Sequence, residues 1–175
     1  MTPAHLALRQ GTADAHDVVD GAFSQFDLGR ADDYRRFLMS QAQVLLPLEA
    51  KLSTAEDLPH WRPRMPLLAR DLAALGAVLP TPIAIEGLER PGEMHGALYV
   101  IEGSRLGGGL LARRVRPGLP REYLGATHLS GEWRTLMSAI DTAAGSEEWR
   151  AAMMAGARQI FGLYVDAARA FAPLR

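Results

Sequence analysis

The chain has no cysteine, and that one absence removes disulfides, thiolate metal ligands and cysteine nucleophiles together. Any metal it holds must be bound by histidine or oxygen. It has no run of about eighteen apolar residues, and its N-terminal MTPAHLALRQ lacks a basic segment followed by an apolar one. Neither a membrane span nor a signal peptide is read, and the cytoplasm is the expected compartment. Lysine is nearly missing: of 19 basic residues only Lys51 is a lysine, which reads first as coding preference. Nor is there an excess of one charge. A formal net charge of −1 gives no electrostatic case for binding nucleic acid or an anionic membrane. No strand pattern of period two, internal repeat or low-complexity tract is found.

What is present is helical periodicity. The 175 residues, 48% hydrophobic and 22% charged, suit one globular domain, residues 1–175, with a sizeable core. Thr2 and Pro3 suit a helix start. Leu8, Thr12, Ala15, Val19 and Phe23 then recur at three- and four-residue spacing, predicting one helix to about Phe23. A second helix follows Asp32 and Asp33, with Tyr34, Phe37, Leu38, Gln41, Leu45, Leu48 and Leu52 on one face. Pro47 lies inside it and predicts a kink or break near Val44. A third runs from Pro66 to Leu75 and stops at Gly76. After a proline-bearing loop, helix formers extend from Glu93 to Arg116. Beyond the loop 117–131, two more helices cover Glu132 to Ala143 and Ser146 to Ala172. The expectation is an all-α domain of about six main helices.

One helix carries an unusual load of glycine. Gly103, Gly107, Gly108 and Gly109 lie inside GALYVIEGSRLGGGLLARR, where each costs about 1 kcal/mol relative to alanine. Gly103 and Gly107 are one turn apart and Gly96 is two turns earlier, so the three fall near one face and leave it almost without side chains. Two readings are open. The glycines let two helices approach closely, or they present a flat surface to a planar ligand, with the triple glycine loosening the helix there.

The first helix offers a partner for the second reading. His16 lies beside the buried stripe, with Arg9 seven residues before it and Asp20 four after, all on one face. Arg9 would be about 10.5 Å along the axis, within reach of a carboxylate on a group bonded to His16. Asp20 could hold the other imidazole nitrogen and fix its tautomer. His5, His60, His95 and His128 have no matched partners and read as ordinary histidines.

These residues resemble the haem oxygenase family, particularly its shorter bacterial members. Four segments carry the resemblance: LRQGTADAHDVVD, DYRRFLMSQAQVLLPLEAKL, LLARDLAALG and, most specifically, ALYVIEGSRLGGGLLARR. Together they cover about residues 5–116. The resemblance implies the multi-helical haem oxygenase fold, with His16 as proximal ligand to haem iron and Asp20 supporting it. Gly103, Ser104, Gly107 and Gly108 would form the distal catalytic wall. Arg9 and Tyr99 match positions that hold the haem propionates. Ser104 stands where animal-type members have an aspartate that organises distal water, and its hydroxyl would do that work.

The activity implied is oxygen-dependent opening of haem to biliverdin, carbon monoxide and ferrous iron. Haem is both cofactor and substrate, and an external reductase or ferredoxin supplies electrons. A non-catalytic haem carrier or sensor on the same fold is the alternative, and a helical interaction module without haem is a third reading. Arg105, Arg113, Arg114 and Arg116 form a basic cluster that reads as a solvated helix face or as a dock for an acidic reductase. The related thiaminase-like and di-iron chemistries lack their residues here, a cysteine nucleophile and repeated Glu-x-x-His ligands respectively.

Overall fold

In the computed structural model, which describes residues 2–174, eight helices and no strand are found among the described residues. They are α1 (Ala4–Gly11), α2 (Ala13–Phe23), α3 (Ala31–Leu52), α4 (Met65–Ala74), α5 (Pro91–Ala112), α6 (Glu122–Gly125), α7 (Glu132–Ala143) and α8 (Glu147–Ala170). The all-α expectation holds. The count rises because the expected first helix is two helices and the loop after α5 contains the short α6.

The first break falls at Thr12, whose backbone leaves the helical region at φ −117°, ψ 5°. Its side chain is buried and its hydroxyl donates to the Leu8 carbonyl at 2.8 Å. A threonine hydroxyl that bonds back one turn bends a helix, and here α1 and α2 part company. Arg9 and His16 therefore sit on different helices, and the single shared face expected of them does not exist. Pro3, not Thr2, is the residue before the first turn.

The break expected at Pro47 is absent, since α3 runs unbroken from Ala31 to Leu52. Proline at this position deprives the Gln43 carbonyl of its usual donor one turn on. The amide of Ile83, in the strap between α4 and α5, donates to that carbonyl at 3.0 Å. A long-range bond thus repairs the local defect. The other ends follow local chemistry. α4 stops before Gly76, which takes φ 67° while Ala77 N–H donates to the Leu72 carbonyl, as in a Schellman closure. α5 starts at Pro91 and ends at Ala112, two residues earlier than expected at its start and four at its end. α8 starts after Ser146, whose hydroxyl accepts the Trp149 amide at 3.1 Å.

α8 is the central element, packing on α5, α2 and α3. Its closest partner is α5, because both present glycine. A Cβ on Gly92 or Gly96 would run into the α8 backbone at Trp149 and Met153, and one on Gly156 would strike Glu93. Gly96 thus serves close helix packing and is not part of an open face. Leu98 and Ile101 of α5, Ala157 and Ile160 of α8, and Leu38, Leu45 and Leu48 of α3 are buried in one shared core.

Two buried carboxylates organise the loops around this core. Glu49 accepts the amides of Arg64 at 2.7 Å and Met65 at 3.0 Å, holding the start of α4. Burial pushes its carboxyl above the ordinary range, with those two amides acting in the opposite direction. Asp71 does the same for α6, accepting the amides of Glu122 and Tyr123.

Candidate functional site

α2 rests on α8 without burying a single residue completely. His16 is 58% exposed, and its Nδ1 lies 3.3 Å from the Asp20 carboxylate one turn later. Its ring meets the edge of Phe161 of α8 at 6.0 Å and 82°. Nε2 has no partner among the described residues, so the carboxylate neighbours one nitrogen of the ring and the other is open. On the opposite flank of α2, about 200° round the helix from His16, Asp14 is paired with Arg158 at 2.9 Å.

The position of the glycine helix relative to His16 follows from α8. Gly92 meets Trp149 and Gly96 meets Met153 and Ala157, so α5 and α8 run parallel. α2 runs the same way, with Asp14 at Arg158 and Gln25 reaching the Ala168 carbonyl. From Gly96 to Gly103 is about 10.5 Å of helix, and the same step along α8 leads from Met153 and Ala157 to Ile160 and Tyr164. Phe161, which carries His16, lies at that level. His16 and Gly103 thus stand abreast on two helices that share α8 but have no extensive packing with each other.

The four glycines divide. A Cβ on Gly107 would meet nothing within 4 Å, and one on Gly103 would meet only the tip of Trp133 at 3.7 Å. These two form the bare face. Gly108 turns away from it and is buried against the Leu124 carbonyl of α6, while Gly109 faces Thr127. Gly108 therefore leaves the expected group, since successive helical residues differ by about 100°.

Arg9 of α1 lies near enough to Tyr99 of α5 for its charge to act on the phenol. Burial raises the Tyr99 phenol above its ordinary value, and the nearby Arg9 charge opposes this. Tyr99 packs against Trp133 of α7 at 5.8 Å, and Trp133 against His128 at 5.5 Å.

Ser104 is already engaged. Its hydroxyl donates to the Ile101 carbonyl at 2.6 Å and accepts from Arg64 Nη2 at 2.6 Å, which leaves it no proton for a distal water. Arg105 is fully buried, donating to Glu102 and to the carbonyls of Ala126 and Arg62. The expected basic cluster is therefore reduced to Arg113, Arg114 and Arg116, all exposed. His128 is also no ordinary loop histidine. Its Nε2 lies 3.2 Å from Glu102, and its buried Nδ1 has no partner among the described residues. Arg64, Glu102, His128 and Trp133 carried no signal beyond the i, i+3 spacing of Glu102 and Arg105, because they converge from separate elements. His95 is buried, with Nδ1 2.7 Å from the Pro91 carbonyl and Trp149 against its ring.

Two open hollows are present, the second bordered by Phe161. One, about 330 Å³, is lined by Leu52, Leu58, Pro59, His60 and Trp61. The other, about 220 Å³, is on the Asp14 side of α2.

This helical framework is that of a haem oxygenase fold. A solved structure of the NO- and CO-bound heme oxygenase of Neisseria meningitidis matches 100% of this chain and 94% of that chain with a TM-score of 0.86, at 23% identity. At that identity the likeness speaks for the fold. No family model matches the sequence. A curated protein of Xanthomonas campestris pv. campestris (strain 8004), named heme oxygenase, is 33% identical over 147 residues, which make up 75% of this chain and 86% of that protein. The chain belongs to the haem oxygenase family.

Proposed function

We propose that this protein, a haem oxygenase with haem as substrate and cofactor, holds the ring between His16 of α2 and the bare backbone at Gly103 and Gly107 of α5. The observation that carries this reading is the placement of His16: at the level of Gly103 along α8, with the Asp20 carboxylate 3.3 Å from Nδ1 and no partner at Nε2 among the described residues. The residues suit the group. A neutral imidazole can ligate iron, a face without side chains can lie against a flat ring, Phe161 offers an apolar edge, and Arg9 with Tyr99 can meet carboxylates at one end.

Bound haem supplies the iron that activates oxygen and the ring that is opened, giving biliverdin, carbon monoxide and ferrous iron. The chain's own part is placement. Asp20 would favour the tautomer with its proton on Nδ1, which leaves Nε2 as the nitrogen that could hold the iron. Gly103 and Gly107 admit oxygen close to the ring. Ser104, its proton held by Ile101, acts there only as an acceptor, and Arg64 fixes its position.

Electrons come from an external reductase or ferredoxin, and the exposed Arg113, Arg114 and Arg116 at the end of α5 would attract an acidic one. We take the chain as a single domain working in the cytoplasm. Among the described residues no helix is long and apolar enough to cross a membrane.

The test is reconstitution with haemin, followed by ascorbate or a reductase in air. A Soret band and then biliverdin are expected. His16→Ala should lose the native ligation spectrum; a spectrum unchanged from the parent would show that another group binds the iron.

A further inference from the structure

We infer that Trp133 is a positioning residue for this reaction: by bracing the Tyr99 phenol and bordering Gly103, it fixes how the haem is turned within its own plane. The inference rests on the seating proposed above.

Three neighbours meet at this indole. Its ring is 5.8 Å from Tyr99 at 40° and 5.5 Å from His128 at 39°. Its outer carbon lies 3.7 Å from the point where a Cβ on Gly103 would be, and no other atom from elsewhere in the described chain comes within 4 Å of that point. The residues around the indole are held firmly. Glu132 beside it receives Nε and Nη2 of Arg62 at 2.7 and 2.8 Å. His128 is anchored at Nε2 by Glu102. α7 itself is fastened to α1, where Asp141 takes both the amide and the ring of His5.

A porphyrin is nearly fourfold symmetric seen from its axial ligand, so His16 alone cannot decide which ring edge faces which wall. That choice falls to the propionate contacts and to bulk at the rim. Arg9 is an exposed side chain on a long flexible stem, and such a group tolerates several ring orientations. Tyr99 has two torsions, and packing against the indole restrains both. It is the more rigid anchor, and Trp133 makes it so. Loosening Trp133 frees the ring to turn, and the bridge that is opened changes with it.

The experiment compares Trp133→Ala and Trp133→Phe in the haem-loaded protein. In Trp133→Ala the share of minor biliverdin isomers should rise about two- to tenfold, the range that loss of one aromatic pair allows. Without turnover, the haem methyl resonances of the resting ferric complex should fall into more sets in Trp133→Ala than in the parent. Trp133→Phe, which keeps a ring against Tyr99, should stay close to the parent. In haem-free protein the first tyrosine to titrate should be Tyr99, because Tyr34, Tyr123 and Tyr164 are more deeply buried, and Trp133→Ala should move it down. An isomer ratio and a number of resonance sets unchanged from the parent in Trp133→Ala overturn the inference, as does equal scrambling in both variants. If the alanine variant fails to fold, Trp133→Leu reports the same outcomes. Unaltered ligation in His16→Ala is a separate result: it removes the seating, and this inference with it.

Discussion

Arg64 and Ser104 are joined by a 2.6 Å hydrogen bond in which Nη2 of the guanidinium donates to the serine oxygen, and the same nitrogen reaches the Ile101 carbonyl at 2.5 Å. The bond ties the residue preceding α4 to the middle of α5, one position past Gly103. Arg64 is itself buried and lies over the Tyr123 ring at 4.9 Å. The serine next to the bare face is therefore a fixed part of the scaffold.

Ser104→Ala should cost about 1.5 kcal/mol, the low end for a hydrogen bond to a charged group, because the Ile101 carbonyl remains for Arg64. Urea unfolding of the haem-free protein measures this. The haemin ligation spectrum should be retained.

Two glycines on one helix should respond oppositely to alanine. Gly96→Ala forces a methyl into the Met153 carbonyl of α8, where backbone cannot move aside, and should cost at least about 1–3 kcal/mol. Gly107→Ala meets open space and should stabilise the haem-free protein by up to about 1 kcal/mol through helix propensity. The same methyl should weaken haemin binding. Tighter or equal binding by that variant would place the ring elsewhere.

Asp20→Asn removes the carboxylate beside His16 Nδ1. Loss of such a supporting contact typically lowers affinity or activity 10- to 100-fold. Both partners here are more than half exposed, so a loss near tenfold is expected, read by haemin titration and by the rate of biliverdin formation.

The Arg62–Glu132 pair should give stability an acid limb. Hydrogen bonds from Arg62 hold the Glu132 carboxyl at about 2, against an ordinary value of 4.5. Its contribution is complete above pH 4.5. Below that the unfolded chain takes up its proton first, so stability falls as pH drops from 4.5 towards 2. Glu132→Gln should flatten this limb in urea midpoints measured between neutral pH and about pH 3.

The reasons for success and failure in reading the sequence are physical and local to particular residues. Gly76 and Ser146 were legible as helix boundaries, because a left-handed closure and a hydroxyl cap need only neighbours in the chain. Thr12 and Pro47 depart from local expectation in opposite directions. A buried threonine ended a helix that periodicity carried through, and a distant amide from Ile83 rescued one that proline should have broken. The glycine helix was legible as unusual, but not in its division of labour. Gly96 belongs to packing against α8, Gly108 to α6, and Gly103 with Gly107 to the open face. Arginines in one short stretch likewise separated, Arg105 into the interior and Arg113 to the surface.

The sequence by itself determined the helical class, the exclusion of thiol chemistry and the presence of one helix laden with glycine, because each depends on residue type and local spacing. Only the tertiary structure decided which glycines are bare and where His16 stands relative to them. It alone brought Arg64 to Ser104 and Trp133 to Tyr99. Those relations are set by how α5 and α2 lie along α8 and by the loops pinned to Glu49, Asp71 and Glu132. They join residues tens of positions apart, and no local pattern records which of them will meet.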